Sequence, residues 1–396
     1  MSTNYSKSHL AVTFLLLFSL PSTALIQKYF GLIGVFSYVL ITTLAFLSLL
    51  KFKSQFFFFV SRFYFKTLIL VVGLGIICFW ILYPLETAGL LGRGSDRDEA
   101  LNIAFWQFLQ GQYPYSKTTH LGGKITPLPG AILIASPFIL LGNSAHQNLF
   151  WLAIFNFLTA IYLKSYVSAI IMFIFLSVLS PAFQYEYISG GDLIANSIYV
   201  LTAIFLQLKA LSSNSLIAKA STSLFTGIAL ASRSNFLTLL PLLLVLFWRS
   251  TSGQTALTFL SVSLLTFTSI IMPFYLVSPN AFPPFFAGNK LSELNGFIPF
   301  ASTGIILLTL LTSVLLSLQL IRVTKVNLLH SFMICCAVVQ ALPMVCGVFL
   351  MSIFNQKLDF SFLYHRHGLM FLFFALWGFW PLLFAASPSG ENALAP

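Results

Sequence analysis

Long apolar runs separated by short polar joints dominate this chain. The runs cover 9–27, 31–50, 67–85, 147–163, 165–183, 193–211, 216–232, 235–249, 254–277, 298–321, 328–354 and 368–386. A membrane-spanning helix needs about 20 mostly apolar residues. The pattern therefore predicts an all-α polytopic membrane protein with about 12 transmembrane helices. A further stretch, 126–142, is apolar but interrupted by Pro127, Pro129, Gly130 and Pro137. It is short for a crossing, and its prolines break it further. It is expected to form an outer-face or re-entrant helix. The first run, from His9 to Ile26, has the look of a secretory signal. Another apolar run follows almost at once, so a first span is expected instead.

The basic residues orient these elements. Lys51, Lys53, Arg62 and Lys66 form the densest basic loop, which the positive-inside rule places in the cytoplasm. Loop 86–125 then lies on the outer face. If 126–142 does not cross, Lys164, Lys209, Lys219, Arg249, Arg322 and Lys325 fall on the cytoplasmic side; if it crosses, all six face outward. The first arrangement gathers on the outer face the acidic loop, Glu186 with Asp192, Arg233, the Pro-rich loop 278–297 and His365-Arg366-His367. Ionisable groups near a bilayer are costly and are functional candidates by default.

Composition narrows the class. The chain has 396 residues, is 58% apolar and 7% charged, with a mean hydropathy of +0.93. A soluble globular protein is excluded. The net charge of +11 comes from basic residues spread singly over short loops, so no nucleic-acid surface is expected. They report topology and contacts to membrane lipids or phosphate. Cys78, Cys335, Cys336 and Cys346 all fall inside apolar runs and read as packing residues.

Of nine carboxylates, three sit in the segment Asp96-Arg97-Asp98-Glu99. A helix is expected to begin at Ser95 or Asp96, with Leu101, Phe105, Phe108 and Leu109 as its apolar stripe and Gly111 as its stop. It would lie along the membrane surface. The spacing Ser95 to Asp98, or Asp96 to Glu99, is that of a capping box, which accounts for at least one acid. The other reading is a general base, a metal ligand, or both. Asp96-Arg97-Asp98 is a D-x-D pattern of the kind that holds a divalent cation such as Mg²⁺ or Mn²⁺ through oxygen. His120 on the same loop is a further ligand candidate or a surface hydrogen-bonder. Asp192 is either a cap for the span beginning near Leu193 or a second ligand or sugar contact. Glu186, between Tyr185 and Tyr187, reads as a pocket wall. Residues 282–286, Trp377 and Trp380 read as interface anchors.

The outer loop also carries an ordered series of motifs. These are Asp98-Glu99-Ala100, the helix ending at Gly111, Tyr113-Pro114-Tyr115, Lys124-Ile125-Thr126-Pro127-Leu128-Pro129-Gly130, and Leu140-Leu141-Gly142. The series resembles the first outer loop of the GT-C superfamily of polyprenyl-phosphate-sugar glycosyltransferases. That superfamily includes protein O-mannosyltransferases, lipid A aminoarabinose transferases and bacterial integral-membrane mannosyltransferases. The Gly-x-Tyr-Pro-Tyr version looks most like the last group. Tyr187-Ile188-Ser189-Gly190-Gly191-Asp192 resembles the superfamily's second outer loop. Gly227-Ile228-Ala229-Leu230-Ala231-Ser232-Arg233 resembles its Gly-rich segment ending in a basic residue near the lipid phosphate. The resemblance spans roughly 67–250, framed by an N-terminal hairpin and basic loop in 1–66 and by C-terminal helices in 251–396. The hairpin is additional to the family pattern, and the sequence holds no large polar stretch of the kind that accompanies protein acceptors in some members.

The resemblance implies a membrane glycosyltransferase of a bacterial inner membrane, with its active site on the periplasmic face. The donor would be a polyprenyl-phosphate-linked sugar, with mannose or another hexose or pentose as cargo, and the acceptor a lipid or glycan. Asp98 would be the general base and Glu99 its support. Arg233, then Arg366 and Lys124, would hold the donor phosphate. Asp96, Asp192, His120, Glu186 and Tyr115 are the remaining substrate or metal contacts. Two other classes compete: a transporter or flippase for lipid-linked saccharides, and a non-catalytic assembly subunit on a related scaffold. Against the first, the sequence shows no internal repeat and almost no charge at span centres.

Overall fold

The computed structural model describes residues 7–91, 95–279, 282–286, 290–363 and 368–384. Among them every regular element is helical, and the one β contact is an isolated bridge between Thr118 and Lys124. In chain order the helices are α1 (Lys7–Lys51), α2 (Lys53–Arg62), α3 (Tyr64–Thr87), α4 (Arg97–Leu109), α5 (Pro129–Leu140), α6 (Gln147–Leu163), α7 (Tyr166–Leu179) and α8 (Pro181–Ile188). They continue as α9 (Leu193–Leu211), α10 (Leu216–Leu230), α11 (Leu240–Ser250), α12 (Gly253–Val277), α13 (Pro283–Phe286), α14 (Ala301–Ile321), α15 (Leu328–Phe354) and α16 (Leu369–Phe384).

The 45-residue α1 is not one rod. Gly31 has φ 64° and ψ −165°, outside helical geometry, a conformation that only glycine adopts cheaply. The rings of Phe14 and Phe46 approach to 5.3 Å, whereas a straight helix would hold them about 48 Å apart. The chain therefore folds back at Gly31, and the runs 9–27 and 31–50 are the two arms of a hairpin.

Among the described residues, six helices are long and apolar enough to cross a bilayer, α1, α3, α9, α12, α14 and α15, the first of them folded into two arms. The pair α7–α8 makes a seventh only if counted as one broken span, since it bends by 86°. The run 165–183 is thus not a straight crossing. Pro181 opens α8, and Ser180 caps it by accepting from the Phe183 N–H at 3.4 Å. Other expected spans are short: α6, α10 and α16 have 17, 15 and 16 residues. The run 235–249 begins as a 3-10 turn, Ser234–Leu239, before α11. The structure is that of a helical multi-pass membrane protein, but twelve full-length membrane helices are not present among the described residues. The ambiguous segment 126–142 becomes α5, whose 12 residues reach about 18 Å, well short of a hydrocarbon core of about 30 Å.

Burial separates lipid-facing from interior helices, although all are apolar. In its most hydrophobic window α3 is 6% buried and α9 is 83% buried. Nearly every residue of α16 is buried too. A helix that is apolar all round and enclosed is a core element. The main core joins the α1 hairpin, α6, α7, α9, α11, α15 and α16. Three expectations about individual side chains fail. Trp377 and Trp380 are fully buried rather than interfacial. Their indole N–H groups donate to Thr159 Oγ1 at 2.8 Å and Ser168 Oγ at 3.1 Å, as a buried indole requires. Phe282 is also buried, its ring 5.0 Å from that of Tyr115, so it seals the outer loop instead of anchoring in lipid. Cys78, expected to pack inside, is exposed on α3.

Candidate functional site

The acidic loop forms α4 as expected, and Gly111 at φ 69° follows its end. Its buried face is Leu101, Ala104 and Phe105; Phe108 and Leu109 are exposed, so the expected stripe is half correct. Asp96 stands at the cap position, yet its side chain makes no capping bond. The capping-box reading is therefore not realised. Asp96 Oδ2 instead accepts from Thr119 Oγ1 at 2.5 Å and pins the turn that leads to Lys124.

The three acids point to three different partners. Glu99 accepts from the His120 N–H at 3.1 Å and pairs with the His120 ring on the exposed rim. That bond to Glu99 raises the affinity of the imidazole for its proton. Asp98 is buried, with 4% exposure. Its Oδ2 accepts from the Tyr83 hydroxyl at 2.5 Å and from Asn143 Nδ2 at 3.3 Å. Asn143 also donates to the Tyr83 oxygen at 2.6 Å and accepts from Asn102 Nδ2 at 3.2 Å. Ser144 Oγ donates to the Asp98 carbonyl at 3.0 Å. Burial raises the Asp98 pKa above the usual carboxylate value, although the Tyr83 and Asn143 bonds pull the other way. Tyr83 comes from α3 and Asn143 from the turn after α5, so three elements fix this one carboxyl.

A second cluster lies against the first. Arg97 of α4 pairs with the buried Glu186 of α8 at 3.5 Å. Glu186 Oε1 also accepts from the Leu193 N–H at 3.0 Å. Asp192, 1% exposed, pairs with Arg233 and accepts from Asn196 Nδ2 at 2.9 Å. Burial pushes the Asp192 carboxyl up, but the Arg233 and Arg97 charges, with the Arg233 and Asn196 hydrogen bonds, leave the pKa lowered. The result is an alternating series, Glu186–Arg97–Asp192–Arg233, in a low-dielectric setting where paired charges hold one another.

The backbone explains why these residues meet. Between Glu186 and Asp192 the chain turns through Gly190 and Gly191. Gly190 has φ 65°, and a Cβ there would come within 2.7 Å of both Tyr83 and Ala145. A Cβ on Gly191 would overlap the Glu186 carboxylate. The Gly-Gly pair thus lets the second loop press on Tyr83, which holds Asp98. On the other side, α5 docks on the end of α10 through the main chain. Gly130 N–H donates to Ala231 O at 2.9 Å and Leu128 N–H to Ser232 O at 3.2 Å. This fixes the strand-like entry to Arg233. Tyr115 is buried beneath, its hydroxyl donating to Pro127 O at 3.1 Å. Burial raises the Tyr115 pKa while the nearby Arg233 charge opposes the shift.

Of the residues singled out from sequence, Asp96, Asp98, Glu99, His120, Glu186, Asp192, Arg233 and Tyr115 gather in these two clusters. Lys124 stays exposed at the edge of the loop, with no side-chain contact to either cluster. Arg366, with His365 and His367, lies outside the described residues. The D-x-D pair does not act as a unit: Asp96 serves Thr119 and Asp98 serves Tyr83 and Asn143. Among the described residues no group of three His, Cys, Asp or Glu side chains is arranged to hold a metal ion. The donor set as it stands does not fit a divalent cation. Asp192 Oδ1 and Arg233 Nε are buried without a hydrogen-bond partner, and buried polar atoms of this kind call for a further partner such as water or a ligand.

Sequence reasoning missed Tyr83, Asn143 and Arg97. Asn143 directly follows the Leu-Leu-Gly motif, and Arg97 sits between the two aspartates, so position gave a signal for both. Tyr83 lies in an ordinary apolar span and gave none. No protein-family model, curated protein or solved structure matches this chain.

Proposed function

We propose that this chain is a GT-C-type membrane glycosyltransferase. It moves a sugar from a polyprenyl-phosphate donor to a lipid or glycan acceptor, on the outer face of a bacterial plasma membrane. The proposal includes about a dozen crossings, with the short helices α6, α10, α11 and α16 completing the bundle inside the longer ones. One observation carries it above all. A buried carboxyl, Asp98, oriented by Tyr83 and Asn143 and with raised proton affinity, lies beside a buried cluster in which Asp192 holds Arg233.

In this reading Asp98 accepts the proton of an acceptor hydroxyl as that oxygen attacks the anomeric carbon. The bond from that carbon to the phosphate oxygen breaks, and its electron pair leaves on the phosphate. Displacement in one step inverts the anomeric centre. A phosphate leaving group needs no acid to protonate it, so one carboxyl suffices where a glycosidase uses two. Tyr83 and Asn143 hold Asp98 in register. Arg233, anchored by Asp192, stabilises the departing phosphate through its remaining N–H donors. Glu99 and His120 flank the entrance and can orient the sugar.

The test is sugar transfer by purified protein from synthetic polyprenyl-phosphate sugars, followed by release of polyprenyl phosphate. Turnover with inversion supports the proposal. Binding of the donor without turnover by any acceptor would favour a carrier or scaffold built on the same clusters.

A further inference from the structure

On the flank of the bundle, outside the Asp98 site, α1, α3 and α8 line a cavity of 280 Å³. Its walls are Leu25, Ile26 and Phe30 at the Gly31 bend of α1, and Pro181 and Ile188 of α8. Among these apolar groups stands Glu86, near the end of α3, with 0% exposure. Its Oε1 accepts from the Tyr185 hydroxyl at 2.8 Å, and its Oε2 is buried with no hydrogen-bond partner. No basic side chain among the described residues pairs with it. A buried carboxylate is costly unless a cation or several donors compensate it. A carboxyl in an otherwise greasy cavity therefore points to a cationic visitor.

The surroundings say where that visitor comes from. The helix α3 is a lipid-facing span, 6% buried in its apolar window, and Phe30 at the rim is 69% exposed. The cavity borders the bilayer, and Leu91 at the start of the outer loop completes its wall. Its size is near the lower end for small-ligand pockets, enough for a segment of one chain and a small head. An anionic phosphate would be repelled by Glu86, so the polyprenyl-phosphate donor is the wrong occupant. We propose that the α1–α3–α8 cavity binds a membrane lipid bearing a primary ammonium, with the ammonium on Glu86 and Tyr185 and the chain along the α1 bend. This stands whether or not Asp98 transfers a sugar.

The test uses the full chain in phosphatidylcholine nanodiscs and three probes with the same diazirine-bearing alkyl tail. Their heads are a primary amine, an alcohol and a sulfate, and crosslinked peptides are located by mass spectrometry. The amine should label the segments around Leu25–Phe30 and Pro181–Ile188 about tenfold more than the sulfate, the scale of one charge-assisted contact. Glu86→Gln, nearly isosteric, should erase that preference while general labelling of the outer face of α3 is unchanged. Equal labelling by amine and sulfate in the wild type would overturn the proposal. So would an amine preference that survives Glu86→Gln.

Discussion

Removing a single hydroxyl separates how Asp98 is held from what it does. Tyr83→Phe keeps the ring but leaves the buried carboxyl short of a donor, a loss of about 1–3 kcal/mol, readable as thermal stability in detergent. Because the Tyr83 bond lowers the Asp98 pKa, its loss raises that pKa further. The base is active only when ionised, so the acid limb of the pH–rate profile should move to higher pH in Tyr83→Phe. The two buried aspartates also carry opposite pH signatures. The Asp98 pKa is raised on folding, so its contribution to stability is fully present below about pH 3.9 and is lost as pH rises through the folded value. The Asp192 pKa is lowered, so its contribution is present above about pH 3.9 and is lost as pH falls through the folded value. Thermal melts across pH should therefore show Asp98→Asn gaining on wild type toward neutral pH. Arg233→Gln should lose about 3–5 kcal/mol at neutral pH, because it strands Asp192 in the interior. Asp98 was legible in the sequence because an acid is conspicuous in a chain this apolar. Its partners were not, since a tyrosine in a span and an asparagine in a turn carry no periodic signal.

At the level of elements, two close backbone approaches bring the clusters together. Gly130→Ala would place a Cβ 2.6 Å from Ala231 O, with Ile228 O closer still. The α5 start must then lift from the α10 end, at a cost of about 1–3 kcal/mol, and Arg233 shifts with it. Gly191→Ala should instead displace the Glu186 carboxylate and loosen Arg97, with activity falling more than stability. Turnover and melting temperature, measured together for both variants, distinguish the two effects. The α4 boundaries were readable from its polar start and Gly111. The failure of its cap was not, because Thr119 reaches Asp96 from more than twenty residues away in sequence. Likewise the proline-broken segment 126–142 announced a short helix. The 86° bend between α7 and α8 lay hidden in an apolar run, where Ser180-Pro181 was the only warning.

Across the whole molecule, hydropathy identified the class but not the layout. All the runs are apolar, yet α3 faces lipid while α9 and the wholly apolar α16 are enclosed. Composition cannot distinguish those environments, because lipid and protein interior are both apolar. For the same reason Trp377 and Trp380 looked interfacial and proved central. Sidedness is a separate expectation, resting on the basic loop around α2. In a cysteine-free background, a membrane-impermeant thiol reagent should label Thr118→Cys from outside and leave Phe57→Cys unlabelled until the membrane is opened. The reverse pattern would put the Asp98 site in the cytoplasm and remove the outer-face transfer. The account as a whole turns on Asp98 as the base. The most direct measurement is donor turnover by purified Asp98→Asn beside Glu99→Gln and wild type, each shown by its melt to be folded. Loss of about 10²–10⁴-fold in Asp98→Asn, the share of one positioned base, with a much smaller loss in Glu99→Gln, is the predicted result. Equal turnover by Asp98→Asn and wild type would contradict it.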